Sequence, residues 1–71
     1  MANVRIVYCA PCGFRGRAEE LKKQLEKKGH KVVLEDGEHG ILDVYSGKKL
    51  VFSRFKEGRF PEADEILKKL Q

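Results

Sequence analysis

The sequence lacks the features that define several large protein classes. Its 71 residues include no apolar run of the roughly 20 residues that a membrane-spanning helix needs, so we expect no membrane association. Residues 1–8 contain neither the apolar stretch nor the small-residue cleavage site of a signal peptide, and we expect a cytoplasmic protein. Two cysteines, separated by only two residues, do not form the disulfide framework of a small secreted protein.

The length and charge of the chain restrict it further. Residues 1–71 are expected to form one domain, which at this size buries only about 60% of its unfolded surface. The net charge of +4 permits RNA binding, but the aromatic-rich motifs of RNA-recognition domains are missing and acidic residues are interspersed throughout. A small basic RNA-binding domain is therefore kept only as an alternative.

The hydrophobic pattern predicts the order β-α-β-β-β-α. Short β-branched runs indicate strands, and apolar residues at spacings of three and four indicate helices. The first strand, the first helix and the second strand form a parallel βαβ unit, and the last two strands form an antiparallel hairpin. This is an α/β fold of the thioredoxin-like type, a four-stranded mixed sheet covered by two helices. The predicted elements are strands 4–8, 30–35, 41–45 and 49–54 and helices 14–28 and 63–70.

The two thiols lie between the first strand and the first helix. Cys9 and Cys12 have the Cys-x-x-Cys spacing that, in a βαβ context, indicates redox chemistry. Two intervening residues in a first helical turn bring the Cα atoms to the separation of about 5.5 Å that a disulfide needs. Pro11 suits such a turn, and the helix N-terminus would stabilise a thiolate.

A metal site and inert thiols are the alternatives for this pair. A structural zinc ion needs four ligands, and only His30 and His39 could complete the set. Their spacing from the cysteines does not match that of zinc fingers, so both imidazoles are expected to be solvated or locally hydrogen-bonded. We therefore expect no metal and no organic cofactor, and keep a metal ion shared between two chains as a further alternative.

Other side chains allow a functional and a purely structural interpretation. Asp43 could carry protons near a thiol, but strand alternation favours a side chain that faces solvent. Tyr8 could shield the thiols, but a place in the core is favoured. Basic residues of the second half could bind an anion such as the carboxylates of glutathione, although protection of a sheet edge is the more common role. These residues are Lys48, Lys49, Arg54, Lys56 and Arg59.

Three segments of the chain are distinctive: residues 7–14, VYCAPCGF, residues 40–54, GILDVYSGKKLVFSR, and residues 58–61, GRFP. Together they resemble the selenoprotein W-related proteins, the Rdx family of thioredoxin-like proteins. The resemblance implies a thiol-disulfide redox protein in which Cys9 and Cys12 cycle between dithiol and disulfide. Selenocysteine-containing relatives carry selenium at the position of Cys12, whereas thioredoxins attack through the position of Cys9. We assign the pair jointly, with a slight preference for Cys9.

The chain departs from thioredoxins where they hold their substrates. Thioredoxins carry a cis-proline facing the thiols, and residues 36–40 of this chain contain no proline. We expect residues 58–61 to border the site instead. The expected lining residues are Tyr8, Pro11, Gly13, Phe60 and Pro61.

The expected partners are protein disulfides or thiols, or glutathione. By analogy with thioredoxin, the proline between the thiols predicts a reduction potential on the reducing side. The alternative function that remains is a non-catalytic module whose disulfide controls partner binding.

Overall fold

The computed structural model describes residues 2–70 and contains four strands and three helices in that range. No helix within those residues is long and apolar enough to cross a membrane. The elements are β1 (Asn3–Tyr8), α1 (Arg15–Lys27), β2 (Lys31–Asp36), β3 (Leu42–Ser46), β4 (Lys49–Ser53), α2 (Arg54–Glu57) and α3 (Ala63–Leu70).

The four strands form one mixed sheet in the order β2-β1-β3-β4. β1 runs parallel to β2, with Tyr8 opposite Asp36, and antiparallel to β3, with Tyr8 opposite Leu42. β3 and β4 form the expected hairpin around a tight turn at Gly47 and Lys48. The predicted thioredoxin-like fold, a mixed four-stranded sheet with two long helices, is confirmed.

Both long helices pack on one face of this sheet. Alternation along β1 directs Val4, Ile6 and Tyr8 to that face, where all three are buried. Their partners on the helices are the apolar residues of the predicted stripes, namely Ala18, Leu21 and Leu25 of α1 and Ile66 of α3. Burying this cluster is the main contribution to stability, since each large apolar side chain removed from water contributes about 1.5–3 kcal/mol.

Within residues 2–70, α1 and α3 pack with the core and leave the opposite face of the sheet uncovered, and charged and half-buried side chains lie there. Arg5 projects there from the central strand β1, with its guanidinium 4.7 Å from the centre of the Tyr45 ring and 3.8 Å from a carboxylate oxygen of Glu35. Val33 on the neighbouring strand is more than half exposed. An arginine in an otherwise apolar strand is therefore accommodated by an uncovered face.

A short helix occupies a region where the sequence predicted the end of a strand and an irregular connection. β4 ends at Ser53, and Arg54 begins a single turn, α2. Gly58 adopts a left-handed conformation (φ 71°) and donates its N–H to the carbonyl of Arg54 at 2.8 Å, which closes the turn. The change matters because it places Arg54 beside the candidate site.

Candidate redox site

The site lies at the edge of the sheet where β1 and β2 both end. Because these strands are parallel and end in register, the loop after each of them begins at the same edge. Cys9 follows β1 directly, and its N–H donates to the carbonyl of Ile41 in the β2–β3 loop at 2.9 Å. This backbone hydrogen bond joins the segment that carries the thiols to the β2–β3 loop without involving either sulfur atom.

The two cysteines are linked by a disulfide across a tight turn. Their Cα atoms are 5.3 Å apart, which confirms the expectation that the sulfurs lie within bonding reach. The N–H of Gly13 donates to the carbonyl of Ala10 at 3.1 Å, and Gly13 has a φ of 79°. A residue other than glycine would be strained there, so the sequence Ala10-Pro11-Cys12-Gly13 suits this turn.

The expectation that the thiol motif forms a first helical turn is wrong, although the helix itself starts within one residue of the predicted range 14–28. α1 starts at Arg15, three residues after Cys12, and Pro11 lies in the preceding turn rather than in a first helical turn. The positive φ of Gly13 ends that turn and separates it from the helix. Cys12 therefore lies in the turn before the helix rather than in its first turn.

The donor near Cys12 comes from the β2–β3 loop instead. The backbone N–H of Gly40 donates to the Sγ of Cys12 at 3.3 Å. The Nδ1 atom of His39 lies 3.7 Å from the same sulfur. Cys12 is half-buried, whereas Cys9 has no exposed surface, so the two sulfurs differ in access to solvent.

Hydrogen bonds hold the β2–β3 loop in place at both of its ends. Gly37 N–H donates to the carbonyl of Tyr8 at 2.9 Å, and Ile41 N–H donates to the carbonyl of Glu38 at 3.1 Å. Gly37 is also closely packed, because a Cβ atom built there would overlap side-chain carbons of Val7 and Ile41. Pre-organisation of this loop fixes His39 and Gly40 relative to the sulfur.

Arg54 links this loop to an aromatic cluster. Its Nη1 atom donates to the carbonyl of Gly40 at 3.1 Å, and its guanidinium lies 5.1 Å and 5.2 Å from the ring centres of Phe14 and Phe60. These two rings pack edge to face with centres 4.9 Å apart. The guanidinium of Arg17 also lies over the Phe60 ring, 4.1 Å from its centre.

The predicted lining residues fall into two groups. Tyr8 is buried in the core, as favoured, while Pro11 and Gly13 are exposed in the thiol turn. Phe60 and Pro61 line a groove of about 510 Å³ between α1 and the segment leading into α3, together with Arg17, Leu21 and other residues. The role of the five lining residues in substrate binding stays a prediction.

The loop that carries Phe60 is fixed by an ion pair. Arg59 donates two hydrogen bonds to the carboxylate of Glu65, at 2.7 Å and 2.8 Å, and the N–H of Glu62 donates to the same carboxylate at 3.0 Å. The pKa of Glu65 is lowered from 4.5 to about 2. The main cause is the hydrogen bonding from Arg59, and the second is the hydrogen bond from the backbone N–H of Glu62.

The expectation that Asp43 faces solvent is wrong. Only 8% of Asp43 is exposed, and its Oδ1 atom has no hydrogen-bond partner among residues 2–70. Strand β3 lies between β1 and β4, with Asp43 opposite Val7 on one side and Ser53 on the other. Alternation with the core residues Leu42 and Val44 alone would not predict this burial.

The two histidines differ in location. His30 accepts a hydrogen bond from the N–H of Ala2 at 3.0 Å, a partner that is distant in the sequence rather than local. His39 is exposed but contacts Cys12, and sequence reasoning did not place it at the site. The parallel βαβ unit was the available signal, since it brings the loops after β1 and β2 together.

Comparison with known proteins agrees with this geometry. The family model described as the Rdx family matches residues 3–71. Migration and invasion enhancer 1 is 31% identical over 73 residues in Bos taurus and 25% identical over 71 residues in Mus musculus. Each alignment covers 97% of this chain but 64% and 62% of the relative, so the chain spans less than two thirds of their length.

Solved structures show the same fold. A selenoprotein W-related protein from Vibrio cholerae superposes with a TM-score of 0.87 at 23% identity, over 97% of this chain and 91% of that one. A protein from Bordetella parapertussis superposes with a TM-score of 0.85 at 25% identity, over 96% and 91%. With the family match extending over residues 3–71 and the Cys-x-x-Cys pair at disulfide distance, the chain belongs to the Rdx family of selenoprotein W-related, thioredoxin-like proteins.

Proposed function

We propose that the chain is a thiol-disulfide oxidoreductase in which Cys12 attacks the substrate and Cys9 resolves the intermediate. The observation that carries this proposal is the unequal burial of the sulfurs: Cys9 is 0% exposed and Cys12 is half-buried. An attacking thiolate must reach the sulfur of an incoming disulfide, which favours the accessible residue. This assignment reverses the preference drawn from thioredoxin and agrees with the position of selenium in selenocysteine-containing relatives.

The proposed reaction transfers two electrons from the dithiol to a substrate disulfide. The Cys12 thiolate attacks one substrate sulfur, the substrate S–S bond breaks, and one substrate thiolate leaves. The Cys9 thiolate then attacks the Sγ of Cys12 in the mixed disulfide and releases the second substrate thiolate. The chain is left with its Cys9–Cys12 disulfide, and a donor thiol returns it to the dithiol by the reverse exchange.

The β2–β3 loop supports Cys12 as the attacking group. A hydrogen bond to a charged acceptor contributes about 1.5–3 kcal/mol, more than one to a neutral acceptor, so the Gly40 N–H stabilises a thiolate over a thiol. The bond needs no rearrangement of the loop, which Gly37 and Ile41 already fix.

We propose that the substrates are protein disulfides or glutathione disulfide. The exposed residues Pro11 and Gly13 leave the approach to Cys12 open to a bulky partner. Arg17 and Arg54, stacked on Phe60, offer positive charge near the same end of the molecule for a substrate carboxylate.

Trapping the mixed disulfide tests the assignment. The Cys9→Ser variant should accumulate a covalent adduct with a substrate disulfide through Cys12, because the resolving thiol is missing. The Cys12→Ser variant should form no adduct. Mass spectrometry identifies the bonded residue, and circular dichroism confirms that both variants remain folded; an adduct at Cys9 in Cys12→Ser would contradict the proposed order.

A measurement of insulin disulfide reduction separates catalysis from the alternative function. The reduced wild-type chain should accelerate the reaction over an equal concentration of a simple dithiol. A chain that is inactive with insulin and glutathione disulfide, but binds a partner protein only when oxidised, would instead be a redox-controlled interaction module.

A further inference from the structure

The reduced site combines three side chains whose donor atoms suit one metal ion. The Sγ atoms of Cys9 and Cys12 and an imidazole nitrogen of His39 all lie within 4.8 Å of one another. We propose that the dithiol form binds one Zn²⁺ ion through Cys9, Cys12 and His39, with the fourth coordination position open. The inference uses the same thiols as the proposed function but does not need them to be catalytic.

The distances fit tetrahedral zinc. Zinc binds thiolate sulfur at about 2.3 Å and imidazole nitrogen at about 2.0–2.1 Å, so two ligands of one tetrahedral ion lie about 3.5–3.8 Å apart. Cys12 Sγ and His39 Nδ1 are already 3.7 Å apart. Reduction breaks the S–S bond, so the two sulfurs can move apart to the separation of two zinc ligands. Side-chain rotation of the two cysteines can produce this movement.

The donor types select zinc over the commoner hard cations. Two thiolates and one neutral imidazole form a soft donor set, which Mg²⁺ and Ca²⁺ do not favour. Binding replaces two thiol protons by one divalent ion, so the centre is electrically neutral and the repulsion between two adjacent thiolates disappears. No cofactor chemistry is required beyond coordination.

The surroundings provide the features that accompany thiolate ligands. The Gly40 N–H points at Cys12 Sγ at 3.3 Å and would stabilise the bound thiolate. The loop that carries His39 is held by Gly37, by Ile41 and by the bond of Arg54 to the Gly40 carbonyl, so little ordering of the chain accompanies binding. The burial of the three ligands decreases from Cys9, which is buried, to Cys12, which is half-buried, and His39, which is exposed. The side of the ion near His39 is therefore open to water or a small thiol.

Disulfide formation and metal binding exclude each other, because zinc needs both sulfurs as thiolates, whereas oxidation removes two electrons from the pair and leaves two neutral, poorly coordinating disulfide sulfurs. Zinc should therefore protect the pair from oxidation, and oxidation by a disulfide substrate should release the ion. The two states of the chain would differ in metal content as well as in redox state.

Cobalt substitution tests the ligand set. The chain is reduced with a phosphine, which binds these metals weakly, and titrated with Co²⁺ in the absence of oxygen. We expect one equivalent per chain, with near-ultraviolet thiolate-to-cobalt absorption and the visible bands of tetrahedral Co²⁺. The chain oxidised to its disulfide should give neither.

Histidine variants separate His39 from simple binding by two thiols. His39→Ala should weaken Zn²⁺ binding by about tenfold or more, measured by competition with a chromophoric chelator, and should alter the Co²⁺ spectrum. His30→Ala is the matched control, because that imidazole bonds to Ala2 away from the thiols, and it should bind like the wild type. Circular dichroism of both reduced variants shows whether the fold is kept.

Two outcomes would overturn the inference. Equal affinity and equal spectra for wild type and His39→Ala would remove His39 from the ligand set. One metal per two chains, with four thiolates around it, would show bridging between copies rather than this site. Disulfide reduction measured with a metal chelator present tests the proposed function separately, so either proposal can fail while the other holds.

Discussion

The loops that follow the two parallel strands divide the candidate site between them. Residues 9–14 after β1 carry both sulfurs, and residues 37–41 after β2 carry the N–H donor and the imidazole that approach Cys12. The first loop is a local motif, held by the Ala10–Gly13 turn, whereas the second is placed by contacts with β1, Cys9 and Arg54. Chemistry in the first loop therefore depends on geometry in the second.

The largest expected effect comes from a change in the first loop. Cys12→Ala removes the proposed attacking sulfur and should reduce insulin reduction to the uncatalysed background. A change in the second loop, which leaves both sulfurs in place, should reduce the rate only partly. Insulin turbidity assays compare the rates of variants in the first and the second loop. A Cys12→Ala protein that still reduces insulin would show that the first loop does not supply the attacking sulfur through Cys12.

A methyl group at Gly37 should damage the second loop through packing. The added Cβ overlaps Val7 and Ile41 carbons close to the backbone, so we expect Gly37→Ala to lower the free energy of unfolding by about 1–3 kcal/mol. Urea denaturation measures the change. Gly16→Ala is the matched control: its Cβ meets nothing within 4 Å in α1, and helix propensity predicts a gain of about 0.5–1 kcal/mol. Equal effects at the two positions would contradict the close packing of the loop.

Loss of the arginine contact should affect the second loop less. Arg54→Gln removes the hydrogen bond to Gly40 and the stacking on Phe14 and Phe60, and we expect a loss of about 1 kcal/mol in stability and a fall in disulfide reduction of less than tenfold. Lys56→Gln, an exposed change in the same short helix, should stay within about 0.5 kcal/mol of the wild type. A rate unaffected by Arg54→Gln would show that Gly40 is held without it.

The smallest expected effect concerns the ion pair that fixes the loop of Phe60. The native pKa of Glu65 is about 2, below its ordinary value of 4.5, so the pair stabilises the fold fully above pH 4.5 and loses that contribution as the pH falls toward 2. Exposed ion pairs contribute little, so the change is modest. Melting temperatures of wild type and Glu65→Gln should converge between pH 4.5 and pH 2; a constant difference across that range would exclude the linkage.

The sequence was sufficient for the fold and for the sulfur pair because both depend on nearby residues. Alternation and helical spacing determine which side chains of β1 and α1 enter the core, and two intervening residues limit the distance between Cys9 and Cys12. The start of α1 lies within one residue of the predicted range 14–28, but the thiol motif was wrongly expected to form a helical turn, because Gly13 can continue a helix or end a turn and only its φ distinguishes the two.

The remaining features depend on residues far apart in the sequence. His39 is 27 residues from Cys12, and its contact with that sulfur requires the parallel pairing of β1 and β2. The burial of Asp43 is not predicted by the local pattern of β3, in which this residue alternates with the core residues Leu42 and Val44. The turn of α2 depends on the conformation of Gly58.

The short helix α2 links an unburied segment of the chain to the surroundings of Cys12. Its four residues include none that is buried, and the hydrogen bond from the Gly58 N–H to the Arg54 carbonyl caps its end. Such a segment opens with a small free energy, well below that of global unfolding. Arg54 belongs to this segment and donates a hydrogen bond to the carbonyl of Gly40, whose N–H in turn contacts Cys12. Each opening of α2 therefore frees the Gly40 carbonyl. Amide exchange at Gly40 should therefore follow the opening of α2 and be faster than exchange in β1.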